Sequence, residues 1–129
     1  MVPGTLGEDT MSPRRRWEPP ESAREYAFRV LLANRMREAR EHAGLSIRQL
    51  GAAIGRHHSH VVALETRRRA PRLPDLWKIA VATGWPIEQF VTGPRDEDEQ
   101  ADWDFAMEDF ARGDAAPGGT RHDDERLED

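Results

Sequence analysis

Between Arg56 and Pro71 the chain reads RHHSHVVALETRRRAP, which puts three histidines, His57, His58 and His60, within four residues and an arginine triplet, Arg67 to Arg69, just after them. Imidazoles at this density bind a metal, meet nucleic acid, or sit in a turn with no chemistry. Helical geometry argues against a metal. At about 100° per residue, positions 57 and 60 share a face while 58 points away, and no histidine pair has the i, i+4 spacing of a zinc-binding HExxH helix. Contact with nucleic acid fits better, because the arginines that follow can meet phosphates, although arginines also suit the negative pole at a helix end. An imidazole near phosphates holds its proton more readily, so such a contact is expected to strengthen as pH falls from about 8 to about 6.

Composition narrows the setting. A chain of 129 residues with 37% hydrophobic content has room for one small core. It has no cysteine, so disulfides and thiolate metal sites are excluded. No apolar run reaches the roughly 18 residues of a membrane span, and the first residues lack the apolar stretch of a signal peptide, so a soluble cytoplasmic protein is expected. No glycine-rich phosphate loop or activated nucleophile is present, and neither catalysis nor a cofactor is expected.

The net charge of −5 conceals two segments of opposite sign. Residues 29–93 carry 11 Lys and Arg against 5 Asp and Glu, a net +6, whereas residues 95–129 carry 4 Arg against 14 Asp and Glu, a net −10. A basic middle and an acidic tail suggest an electrostatic partner for each, or an interaction between them.

The elements that must position the histidines are helices. Residues 1–21, rich in Pro, Gly and charge, read as a disordered arm. Ser22 and Glu25 have capping-box spacing, and from there to Gly44 nothing breaks a helix, although two helices meeting near Val30 also fit. Leu32, Met36, Ala39 and Ala43 form its apolar stripe, with Arg35, Arg37, Arg40 and Glu41 on the polar remainder. Ser46 caps a second helix ending at Gly55, with Leu50 and Ile54 inward. A third, over 58–66, turns Val61 and Leu64 inward. DLWKIAVATG gives a fourth with Leu76, Ile79 and Ala80 inside and Trp77 and Trp85 as packing residues, and Pro86 opens a fifth. Residues 22–94 are thus expected to be one all-α domain, and residues 95–129 an acidic tail. Within the tail Trp103, Ala106, Met107 and Phe110 share a face, which predicts a short amphipathic helix over 101–112; Trp103, Met107 and Phe110 are candidates for docking on a protein partner or for competing at the basic face.

Residues Leu32 to Phe90 resemble the helix-turn-helix domain of the Cro/CI-type, or XRE, family. The likeness is carried by Arg40 four before Gly44, GLS at 44–46, Leu50, Gly55, Val61, Glu65, Pro71 and LWKIAVATG at 76–84. It implies a compact five-helix, lambda-repressor-like fold in which residues 46–54 support a recognition helix, 58–66, that enters the major groove. It also implies DNA contacts from Arg48, Arg56, His57, His58, Ser59, His60, Val62, Ala63, Thr66, Arg67, Arg68 and Arg69, and a structural ion pair between Arg40 and Glu65. Three positions depart from the family pattern: Ile47 stands where a Gln commonly meets a phosphate, His57 where Ser or Thr caps the recognition helix, and Arg67 where Gly follows it.

The expected function is sequence-specific transcriptional regulation on double-stranded DNA, as a homodimer on half-sites about one helical turn apart. The alternative is an antitoxin or adaptor whose helix-turn-helix mainly presents a surface to a protein partner.

Overall fold

The computed structural model of the chain describes residues 20–113. Most of the expected arm, residues 1–19, and the acidic end from residue 114 lie outside the described residues. Among the described residues six helices follow one another: α1 (Ala23–His42), α2 (Ile47–Ile54), α3 (His58–Glu65), α4 (Leu73–Thr83), α5 (Glu88–Val91) and α6 (Glu97–Arg112). Among the described residues there is no strand, and no helix is long and apolar enough to cross a membrane.

Local signals explain most of the helix ends. The Ser22 hydroxyl accepts from the Glu25 amide at 3.1 Å, and the Glu25 carboxylate reaches back to the Glu21 amide at 2.9 Å. From there α1 runs unbroken through Val30. It closes where Leu45 N–H reaches the Arg40 carbonyl and Gly44 N–H that of Glu41, each at 3.0 Å. Because α1 stops at His42, Ala43 lies beyond the last helical turn and is exposed, not part of the stripe. Ser46 and Gln49 cap α2 reciprocally. Helix α4 starts at Leu73, two residues earlier than expected, because Pro74 fits within a first turn. Helix α5 is a single turn at Glu88–Val91, with Pro86 in the turn before it.

The core gathers one face of each of the first five helices. Leu32, Met36 and Ala39 of α1 meet Ile47, Leu50 and Ile54 of α2, Val61 and Leu64 of α3, Leu76, Ile79 and Ala80 of α4, and Phe90 of α5. Each fully buried aliphatic side chain here contributes about 1.5–3 kcal/mol. Trp85 packs at the rim with its ring 5.4 Å from that of Phe90. Trp77 does not join it and is 57% exposed. It follows Leu76 directly, and one residue turns a helix about 100°, which takes the indole off the inward face.

Helix α6 makes a second, smaller core on the other end of α1, where Tyr26, Ala27 and Ala106 are buried and Val30, Trp103, Met107 and Phe110 pack around them. It starts four residues before the expected 101 because Asp96 caps it, accepting from the Glu99 amide at 2.9 Å, and Glu97, Asp98 and Glu99 suit the positive pole of its first turn. The face that periodicity marks on this helix is occupied by α1 of the same chain.

A buried arginine ties α6 to the first core. Arg35 was expected on the polar side of α1 yet is 0% exposed. Its guanidinium donates to the carbonyls of Phe90, Thr92 and Gly93 and, at 3.1 and 2.8 Å, to the two oxygens of Glu99. All five N–H groups are used, which is what lets so polar a group be buried.

Candidate nucleic-acid interface

The unit formed by α2, the turn after it and α3 is built on a close backbone approach. A side-chain carbon added to Gly51 would lie 2.8 Å from the Arg56 carbonyl oxygen and 3.3 Å from the backbone of His58, so only glycine lets α2 lie this near the entry of α3. Gly55 then takes a left-handed conformation, φ 76°, and reverses the chain. This glycine pair sets the angle at which α3 leaves the turn. The Arg40–Glu65 pair holds the far end: Nε and Nη2 of Arg40 meet the Glu65 carboxylate at 2.7 and 3.1 Å, Nη1 meets the Leu45 carbonyl at 3.0 Å, and Arg37 stands 3.6 Å from the same carboxylate. A buried carboxylate at the end of α3 is thereby neutralised by two arginines of α1.

At the entry of α3, His57 is the cap. Its Nδ1 accepts from the Ser59 amide at 3.1 Å and lies 2.9 Å from the Ser59 hydroxyl. Arg48 Nη1 is 3.3 Å from Nδ1 of His58, and a guanidinium can only donate. In both rings Nδ1 therefore carries the lone pair, and the neutral imidazole holds its proton on Nε2. The rings lie 4.2 Å apart.

The named residues separate into two sets. Arg48, His57 and Ser59 are exposed and His58 half-buried, together forming a polar surface at the start of α3. Val62 is half-buried against the core, and Ala63 is half-buried one turn along. Arg68 and Arg69 are half-buried at the exit of α3. The others are engaged within the protein, Arg56 while its side chain stays 44% exposed. Arg56 pairs with the buried Asp75 of α4 at 3.1 Å, and His60 Nε2 stands 3.5 Å from the same carboxylate, beyond a good hydrogen bond. Burial, reinforced by the charges of Arg56 and Arg69 against the opposing pull of Asp75, holds His60 below its ordinary imidazole range. The Thr66 hydroxyl donates to the Val62 carbonyl at 2.7 Å, and Thr66 is buried. Arg67 takes the left-handed conformation, φ 66°, that glycine commonly fills, and its guanidinium lies over the Tyr26 ring of α1 at 5.9 Å.

Sequence reasoning missed Gly51, Asp75, Arg35 and Glu99. Gly51 was the most accessible, since glycine inside a helix marks a close approach. Asp75 reads as an ordinary acidic first-turn residue of α4, and nothing local marks it as the carboxylate beneath Arg56 and His60. Ile47 is buried in the core, which leaves Arg48 as the exposed basic residue at the start of α2. Among the described residues no group of three or more His, Asp or Glu side chains is placed to hold a metal ion.

Residues 31–90 match a family model described as a helix-turn-helix domain. The match begins within α1 and ends at Phe90 in α5, and α6 lies beyond it. No curated protein and no solved structure matches the chain. The all-helical fold, with α2 and α3 joined by a glycine turn, is that of a helix-turn-helix domain.

Proposed function

We propose that the protein is a sequence-specific DNA-binding transcriptional regulator of the Cro/CI type, acting as a dimer with α3 of each copy in the major groove. The observation that carries this reading is the exposed polar surface at the entry of α3, formed by Arg48, His57, His58 and Ser59. The major groove is about 12 Å wide, admits a helix, and presents a distinct donor and acceptor pattern for each base pair. With Nδ1 engaged, His57 and His58 each offer an Nε2–H donor, which suits the purine N7, guanine O6 and thymine O4 acceptors. Arg48, Arg68 and Arg69 supply phosphate contacts, which position the helix without reading sequence. Arg56, His60, Thr66 and Arg67 act by holding α3 in place, since their side chains are directed to α4, to α3 itself or to α1.

The test is binding of a random-sequence duplex, followed by fluorescence anisotropy as salt rises. With several phosphate contacts, affinity should fall by orders of magnitude between about 50 and 200 mM salt. Absence of binding at the lowest salt contradicts the proposal. It would favour the alternative of an antitoxin or adaptor, to which the exposed apolar side chains of α4 lend support.

A further inference from the structure

Leu73, Trp77 and Val81 are 69%, 57% and 62% exposed and follow one another at intervals of four, so they form one apolar stripe along α4. A shallow cleft lies on each side. One is bounded by Trp77, Val81 and the Trp85–Pro86–Ile87 turn, the other by the same two side chains and Ala52, Ala53 and Gly55 at the end of α2. The first lining holds no charged side chain and the second holds Lys78. None of the groups assigned to DNA stands on this face. An apolar patch of this size left in water marks an interaction surface.

We infer that this face joins two copies of the chain about a two-fold axis. A two-fold interface pairs one patch with itself, so that residue i meets j and j meets i. The stripe has the symmetry for it. Trp77 stands at its centre, with Leu73 and Val81 about 6 Å to either side along the helix. Two antiparallel α4 helices crossing at Trp77 set each Leu73 against the other copy's Val81 and each indole beside the other copy's cleft. The near absence of charge fits a copy of the same surface better than a charged partner, whose ionic groups would be buried unpaired. The three side chains present on the order of 350 Å² of apolar surface. A stable dimer takes about 800 Å² from each copy, so the indole anchors the contact and the cleft walls complete it. The inference rests on the DNA-binding reading only for its consequence, two recognition helices in one particle; association itself needs no DNA.

The test is sedimentation of the full chain without DNA, from low micromolar to about 100 µM, where mass action should drive a dimer. Leu73→Glu, Trp77→Glu and Val81→Lys alter exposed positions, so each variant should keep its far-ultraviolet circular dichroism and sediment as a monomer. An equimolar mixture of Leu73→Glu and Val81→Lys should associate again, because the antiparallel register sets the introduced carboxylate against the introduced ammonium. A monomeric wild type, a dimer that survives Trp77→Glu, or a mixture that stays monomeric overturns the inference. Random duplex binding at low salt reports the other reading separately. Loss of the dimer with retained duplex binding supports this interface, whereas a wild-type dimer that binds no DNA overturns the DNA reading and leaves the interface standing.

Discussion

Arg35 and Glu99 stand 64 residues apart in the chain and meet in the interior as a two-pronged ion pair, Nε to Oε2 at 3.1 Å and Nη2 to Oε1 at 2.8 Å. Arg95 adds bonds to the same carboxylate from its backbone amide, Nε and Nη2 at 2.9, 3.1 and 2.7 Å. Burial alone would raise the Glu99 pKa; the hydrogen bonds from Arg35 and Arg95 prevail and lower it to about 2. The pair thus welds the acidic helix to the helix-turn-helix domain through α1.

Removing Arg35 takes from Glu99 its fully buried partner, leaving it Arg95 alone, and strips the carbonyls of Phe90, Thr92 and Gly93 of their donor. Arg35→Met is expected to destabilise the protein by about 3–5 kcal/mol in urea unfolding. The pH dependence has a definite sign. With a folded pKa of about 2 against an ordinary 4.5, the unfolded chain binds the proton first as pH falls, so the contribution of Glu99 is complete above about pH 4.5 and lost on the way to pH 2. It is on the order of 3 kcal/mol. Glu99→Gln should be less stable at pH 7 and should lose this part of the acid sensitivity; an unchanged acid transition contradicts the assignment.

Gly51→Ala sets helix propensity against packing. Alanine favours a helix interior by about 1 kcal/mol over glycine, but its Cβ would lie 2.8 Å from the Arg56 carbonyl oxygen. The backbone there cannot yield without tilting α3. Net destabilisation of about 1–3 kcal/mol is expected, with weaker duplex binding from the refolded protein, both read against wild type by chemical denaturation and anisotropy.

His57→Ser separates capping from recognition. Serine is the better cap, so stability should rise by about 0.5 kcal/mol while discrimination between DNA sequences falls. If stability falls instead, the imidazole holds the turn in some way beyond the bond to the Ser59 amide.

Arg68→Ala should weaken binding to every duplex similarly and reduce the slope of log affinity against log salt by about 1, the mark of one lost phosphate contact. A loss confined to particular sequences would reassign Arg68 to a base edge.

Much of the first five helices was legible, because their ends are set by short-range chemistry. Ser22, Ser46 and Gly44 act within four residues of themselves, and Leu50, Ile54, Val61 and Leu64 turn inward with the expected period. The periodicity of Trp103, Ala106, Met107 and Phe110 likewise marked a helix. It could not say that α1 receives it, since that depends on Tyr26 and Ala27 across the chain. Arg35 escaped for the same reason: its acceptors lie 55 to 64 residues away, and by local pattern it is one of several arginines on a polar face. At the interface, the residue types around His57 were readable from the run itself. Which of them are engaged within the protein was not, because Asp75, which pairs with Arg56 and lies beside His60, belongs to a different helix.

The most direct measurement is selection of bound sites by the full chain from a pool of random duplex DNA at physiological salt. The account predicts enrichment of an inverted repeat whose half-site centres lie about one helical turn apart, and loss of that enrichment on replacing His57 and His58 with alanine. A pool that stays random after repeated rounds, or an enriched motif indifferent to both histidines, contradicts it.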